Sequence, residues 1–180
     1  MSVKSEIRKS IKERVSALSP MERRAMSEAI EERVTSFPEY LGARSIFIYH
    51  STSDEPDTRS LIGRALSEGK QVFLPRIEGE EMALVPYRTG DTLRVGPFGI
   101  EEPVGEPSRV TPDLAVVPLV AFDQDKHRLG RGKGYYDRFL ARYDGCSIAL
   151  AFSAQEWAAI PVEHHDVSPT VVITDKECIR

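Results

Sequence analysis

The sequence predicts an α/β fold: a single domain over residues 1–180, built as helix–sheet–helix layers around a mainly parallel sheet. Three observations carry this reading. Short apolar runs of strand length alternate with segments of helical period along the chain. One strand–helix–strand unit fits between residues 45 and 74, the span of a βαβ crossover. A chain of 180 residues that is 41% hydrophobic and 29% charged has the size and composition of one globular domain with its own core.

The elements follow in order. Val3, Ile7, Ile11, Val15 and Leu18 recur at spacings of three and four, which predicts a helix over 3–18. Ser19 can cap a second helix, Pro20 suits its first position and Glu22 completes a capping box. That helix should reach about Ser36, before Pro38. Residues 45–49 form a buried-strand run, Asp57 can cap a helix over 58–68 that stops at Gly69, and 71–74 is the next strand. Residues 80–110 are richer in Gly and Pro; a strand over 82–87 is expected, then an excursion over one face. Residues 114–117, 147–152 and 170–174 complete the strands, and an apolar-periodic helix opens at Tyr135. In such sheets ligands bind beyond the C-terminal strand ends. Residues 50–55, 75–76, 118–122 and 152–153 are therefore expected to face the site.

The net charge of −4 argues against a general nucleic-acid binder. Positive charge is local instead, near the N-terminus and over 126–133, a focus suited to a small anionic ligand. Cys146 and Cys178 are too few for a disulfide framework, which fits a reducing cytoplasm. No apolar run is long enough for a membrane span, and the first residues lack the apolar stretch of a secretory signal.

The most informative stretch is residues 122–137. Gly130, Gly132 and Gly134 alternate through it, interleaved with Arg128, Arg131 and Lys133 and followed by Tyr135, Tyr136 and Asp137. Such a loop can approach a ligand closely and converge its amides on an anion. It leads into a helix N-terminus, which also favours phosphate. A plain solvated turn is the competing reading of Gly-Arg-Gly alone. The spacing is neither the Rossmann fingerprint nor a Walker A loop. The residues therefore read as a polyphosphate cradle, with mobile cations around it and a carboxylate at its exit where a divalent metal could sit. Lys4, Arg8 and Lys12 share one helix face, either as a solvated stripe or as further anion contacts.

The run Arg128-Leu-Gly-Arg-Gly-Lys-Gly-Tyr-Tyr-Asp137, preceded by Val117-Pro-Leu-Val-Ala-Phe-Asp123, resembles the signature of the 5-formyltetrahydrofolate cyclo-ligase family, also called 5,10-methenyltetrahydrofolate synthetases. The resemblance extends from Lys4 to about Val172. It implies an ATP site made by Lys4, Arg8, Arg128, Gly130, Arg131, Gly132, Lys133, Gly134, Tyr135 and Tyr136, with the first helix folded back over the polyphosphate. It implies folate contacts from His50, Glu55, Phe98 and residues 131–135, with Tyr135 between nucleotide and folate. The family has an apolar residue where this chain has His50. Glu55 would accept hydrogen bonds from the amino-pyrimidine edge of a pterin, and otherwise could be a loop or capping residue. Asp137 and Asp166 match the family's magnesium-contacting aspartates, and two carboxylates with phosphate oxygens suit Mg2+. Zinc at His164-His165-Asp166 is disfavoured, since adjacent histidines do not readily share one ion.

The resemblance implies an enzyme that cyclises 5-formyltetrahydrofolate with ATP and Mg2+, Arg131 and Lys133 serving as catalytic residues. Its partners would be the small molecules ATP and 5-formyltetrahydrofolate, with no nucleic acid and no membrane, and the protein would be a cytoplasmic monomer. A sugar-phosphate isomerase on a similar scaffold and a non-catalytic folate-binding protein are the alternatives.

Overall fold

A computed structural model describes residues 1–180 throughout. Helix α1 (Val3–Ala17) buries Ile7, Ile11 and Val15, the residues of the periodic stripe. Helix α2 (Pro20–Thr35) begins with the expected reciprocal cap: Glu22 N–H donates to Ser19 Oγ at 3.1 Å, and Ser19 N–H donates to Glu22 Oε2 at 2.7 Å. A short helix α3 (Pro38–Gly42), absent from the sequence reading, turns the chain into strand β1 (Ser45–Ile48). Helix α4 (Arg59–Ser67) starts one residue later than expected, after Thr58. Asp57 still serves its first turn, accepting the Arg59 N–H at 2.9 Å. Gly69 ends this connection with a φ of +78°, where a side chain would be strained.

Strands β2 (Gln71–Glu78) and β3 (Glu81–Tyr87) form one long hairpin; β4 (Leu93–Val95) and β5 (Glu101–Pro103) form a second, smaller one. Strand β6 (Leu114–Val117) is followed by a hairpin of β7 (Ala121–Phe122) and β8 (Arg128–Leu129). Helix α5 (Tyr135–Ala141), then β9 (Cys146–Ala151), β10 (Val171–Thr174) and β11 (Cys178–Ile179) complete the chain.

The main sheet has seven strands in the order β11-β10-β9-β6-β1-β2-β3. Its five inner strands, β10 to β2, run parallel, and β3 and β11 close the two edges antiparallel. Alternation sorts the side chains between faces. Ile46, Ile48, Val116, Ile148 and Leu150 meet the helices α1 to α4 on one side. Phe47, Ala115, Val117, Ala149 and Ala151 meet α5, through Leu140 and Phe139, on the other. The layers are helix–sheet–helix, but unequal: four helices cover one face and a single short one lies on the second.

The topology also places the site. From β1 the chain steps to β2 on one side; from the adjacent β6 it steps to β9 on the other. The order reverses between β1 and β6, and a crevice opens beyond their C-terminal ends, where open α/β sheets take ligands. Three of the four expected stretches reach this crevice: 50–55 after β1, 118–122 after β6, and 75–76 through Pro75. Residues 75–76 lie inside β2, because the antiparallel partner β3 extends that strand to Glu78. Residues 152–153 turn away from the crevice: Phe152 is fully buried, and Ser153 donates to Asp175 through both its N–H and its hydroxyl.

Candidate active site

A cavity of about 720 Å3 occupies the crevice. Its lining includes every residue singled out as an ATP, folate or metal contact, from Lys4 and Arg8 through His50, Glu55 and Phe98 to the 128–137 stretch and Asp166. Lys12 is exposed and lies outside it. The cavity draws on distant parts of the chain because three connections meet at the switch point: the loop after β1, the loop from β8 to α5, and the N-terminal helix.

The glycine-laced loop has the backbone its sequence demands. Gly132 and Gly134 hold φ values of +99° and +73°, in the left-handed region that disfavours side chains. A Cβ at Gly134 would also stand 2.7 Å from Arg138 Nη1. Gly130 is not left-handed; its bareness accommodates Arg128, whose Nη1 would stand 3.1 Å from a Cβ there. Helix α5 has seven residues, too few for much of a macrodipole, so the loop amides and cations carry most of the attraction for an anion.

The cations divide into four kinds. Arg128 is not the mobile charge expected of it. Its side chain is 2% exposed, and it donates from Nη2 to Asp137 Oδ1 at 2.8 Å and from Nη1 to the Pro118 carbonyl at 3.3 Å. Its guanidinium also lies 6.0 Å from the centre of the Tyr136 ring. It fixes the base of the loop, because an arginine leaving β8 beneath Gly130 has only the site's own acid and carbonyl for partners. Arg8 and Lys4, one helical turn apart on α1, reach in from the opposite side. Arg8 Nε donates to the Gly130 carbonyl at 2.8 Å, and Lys4 Nζ donates to Asp166 Oδ2 at 2.6 Å. Arg131 is half exposed and donates to Glu55 Oε1 at 3.1 Å and to Thr52 Oγ1 at 2.8 Å. Lys133 is exposed and, alone among these cations, makes no ion pair or side-chain hydrogen bond.

Asp137 and Asp166 meet at one corner. The N–H of Val167, the residue after Asp166, donates to Asp137 Oδ1 at 3.1 Å. Asp137 accepts both its hydrogen bonds through Oδ1, and Asp166 accepts both of its own through Oδ2, from Lys4 and the Glu163 N–H. Asp137 Oδ2 accepts no hydrogen bond, and Asp166 Oδ1 lies 3.6 Å from His165 Nε2. A pair of hard oxygen donors beside a phosphate-sized loop fits Mg2+, which keeps several waters and takes few protein ligands. Burial opposes the Asp166 charge, but the hydrogen bonds from Lys4 and the Glu163 N–H outweigh it and hold the carboxyl below its usual range.

The opposite wall is more apolar. Phe98, at the tip of the β4–β5 hairpin, stands 6.1 Å from the Tyr135 ring, between centres. Tyr135 is itself placed by its hydroxyl, which donates to the Gly79 carbonyl at 3.0 Å, and by the Arg138 guanidinium 5.0 Å from its ring centre. Tyr136 packs into the core against Phe47, and burial pushes its phenol far above the ordinary range. Glu55 is nearly buried; the Thr52 N–H donates to its Oε2 at 2.8 Å, while Arg131 takes Oε1. His50 follows β1 and is 9% exposed; burial, then the charge of Arg59, lowers its pKa from the usual histidine value. Its Nε2 lies 3.9 Å from Glu101 Oε2 on β5.

Several lining residues escaped the sequence reading. Glu163 pairs with Lys4 at 3.0 Å, and Arg138 holds the Glu80 and Lys133 carbonyls as well as Tyr135. Glu163 sits three residues before Asp166, where a turn could have suggested it. Arg138 carries no such mark, because its closest partner, the Glu80 carbonyl, comes from the distant β2–β3 turn.

Comparison with known proteins bears on this geometry. The model of the 5-formyltetrahydrofolate cyclo-ligase family matches residues 1–175. The chain belongs to the 5-formyltetrahydrofolate cyclo-ligase family. Among its relatives, the 5-formyltetrahydrofolate cyclo-ligase of Mus musculus is 32% identical over 191 aligned positions, covering 96% of this chain and 93% of the mouse protein. That of Escherichia coli K12 is 30% identical, covering 91% and 96% of the two chains. The solved 5,10-methenyltetrahydrofolate synthetase of Aquifex aeolicus superposes with a TM-score of 0.88 at 37% identity, covering 99% of this chain and 93% of that one. The protein is thus an enzyme of a ligase family, with the α/β fold of that synthetase.

Proposed function

We propose that this protein cyclises 5-formyltetrahydrofolate to 5,10-methenyltetrahydrofolate at the cost of one ATP, releasing ADP and phosphate. Membership of the cyclo-ligase family supports the substrate. The observation that carries the ATP half is the make-up of the cavity: a glycine loop ringed by Lys4, Arg8, Arg131 and Lys133 shares a single space with Phe98, Ile100, Met82 and the acid Glu55.

The chemistry follows from the substrate. A formamide oxygen is a poor leaving group. Its attack on the γ-phosphorus forms an O–P bond as the bond to ADP breaks. N10 then adds to the activated carbon and loses its proton; phosphate departs with the C–O electron pair, leaving the methenyl bridge. Catalysis of such a step is mainly alignment and neutralisation of charge. Lys133, unpaired and exposed, is the natural partner of the γ-phosphoryl oxygens. Arg131 would exchange Glu55 for phosphate, which would free Glu55 Oε1 for the amino-pyrimidine edge of the pterin. A buried acid of that kind rejects ligands lacking the matching donors. Phe98 and Tyr135 would hold the pterin ring and the reacting formyl group against the loop.

Asp137 and Asp166 would hold Mg2+, which when bound draws charge from the phosphate oxygens. Arg128 acts beneath them as a positioning residue. We place the enzyme in the cytoplasm as a single-domain monomer; no helix of the protein is long and apolar enough to cross a membrane.

The test is direct. Purified protein given 5-formyltetrahydrofolate, ATP and Mg2+ should form the methenyl chromophore only when all three are present. Folate binding without turnover would indicate sequestration instead, and neither binding nor turnover would return the scaffold to other α/β enzymes.

A further inference from the structure

Beyond the glycine loop, the acidic corner of the cavity already holds a cation that belongs to the protein. Lys4 Nζ donates to Asp166 Oδ2 at 2.6 Å and lies 3.0 Å from Glu163 Oε1. The Lys4 and Asp166 side chains are 16% and 17% exposed, so this is not a solvated surface pair. His165 completes the surroundings, its Nε2 3.5 Å from Glu163 and 3.6 Å from Asp166. Arg128 neutralises the neighbouring Asp137 from below, and it is buried and fixed. Lys4 is different: it lies in the first turns of α1, on a flexible stem, and its next-turn neighbour Arg8 already touches the glycine loop through the Gly130 carbonyl.

The other open corner of the molecule makes a useful contrast. Asp123, Asp125 and His127 also lie close enough together to hold an ion. There, however, Asp123 accepts hydrogen bonds on both oxygens, from the Asp125, His127 and Ile160 N–H groups and from the His127 ring. In that turn the buried acid, Asp123, is fully occupied, and Asp125 is exposed. Glu163 and Asp166 instead share one ammonium, which another cation could replace.

We propose that Lys4 is the resident counter-ion of the Glu163–Asp166 corner, and that a divalent metal and the nucleotide polyphosphate bind cooperatively because the first must displace Lys4 and the second receives it. The proposal rests on the metal and polyphosphate roles given above and adds a coupling between them. Metal alone meets a corner whose charge is already compensated, so it binds the free protein weakly. Nucleotide alone meets a lysine held on acids. Together, each removes the obstacle to the other, a coupling that acts equally in both directions. Glu163, which no role above uses, becomes the residue that retains Lys4 in the empty enzyme.

The experiment is Mn2+ binding followed by electron paramagnetic resonance, without nucleotide, on wild type, Lys4→Met, Lys4→Gln and the double variant Lys4→Met/Asp166→Asn. A charged hydrogen bond of this exposure supports a change of about tenfold. Both Lys4 variants should therefore bind Mn2+ about tenfold more tightly than wild type, and the double variant should lose that gain. In a second arm, the same Lys4 variants should bind a non-hydrolysable ATP analogue more weakly than wild type at saturating Mn2+. Equal or weaker Mn2+ binding by folded Lys4→Met and Lys4→Gln overturns the counter-ion role. A gain that survives Asp166→Asn places the metal elsewhere and overturns the proposal through its site. The turnover assay on wild type separates either failure from a wrong reaction.

Discussion

Lys133→Ala separates chemistry from architecture more cleanly than any other change. The Lys133 side chain is exposed and makes no ion pair or side-chain hydrogen bond in the free protein. A substitution of that kind normally moves stability by no more than about 0.5 kcal/mol. In the reacting complex the same ammonium would stand beside phosphoryl oxygens. Two unit charges about 4 Å apart near a protein surface interact by about 4 kcal/mol. Loss of one preorganised charge donor usually costs about 100- to 1000-fold in kcat. The expected result is a melting temperature within about 2 °C of wild type, with kcat lower by at least 100-fold, read from methenyl absorbance at saturating ATP and folate. A full-rate variant would remove Lys133 from the transition state. A large fall in melting temperature would show that its role had been structural, contrary to its unpartnered place on the loop.

Other outcomes follow from the same contacts. Arg128→Met should lower stability by about 3 kcal/mol, and the melting temperature by about 6–12 °C, because it leaves Asp137 without its buried cation; urea unfolding measures this. Asp137→Asn should shift the magnesium titration of activity to higher concentration, and a titration identical to wild type would argue against ligation there. His50 titrates below its ordinary value when folded, so the unfolded chain takes up its proton first as pH falls. His50 therefore costs stability below about pH 6.5 and nothing above it, and denaturant midpoints of His50→Gln should fall less than those of wild type between pH 7 and pH 5.

The fold was legible where local chemistry and tertiary packing agree. The stripe Ile7, Ile11, Val15 and the Ser19–Glu22 box name helices α1 and α2 without help from the rest of the chain. The inner parallel strands are short apolar runs because both their faces are covered. Strands whose pairing is decided at long range were harder to see. Pro75 and Arg76 read as the end of a strand, yet β2 continues through them because β3 pairs along its outer edge. The β7–β8 hairpin is two residues a side and depends on Asp123 gathering backbone donors, which no periodicity reveals.

The site was legible as a set of residue types and less so as an arrangement. Alternating glycines announced the loop, and two of the three do adopt left-handed backbone. Three cations in that loop looked equivalent in sequence. The structure separates them into a buried clamp, Arg128, an arginine resting on Glu55, and a free lysine. Burial decides that difference, and burial depends on Pro118 and Asp137 arriving from other elements. The closure of the acidic corner by Lys4 likewise joins residues 162 positions apart.

A crystal of the protein with a non-hydrolysable ATP analogue, Mg2+ and 5-formyltetrahydrofolate tests the central claim most directly. The triphosphate should lie along the amides of residues 130–134, with Lys133 at its γ-phosphate and the pterin between Phe98 and Glu55. Nucleotide bound away from an empty glycine loop would contradict the account at its foundation.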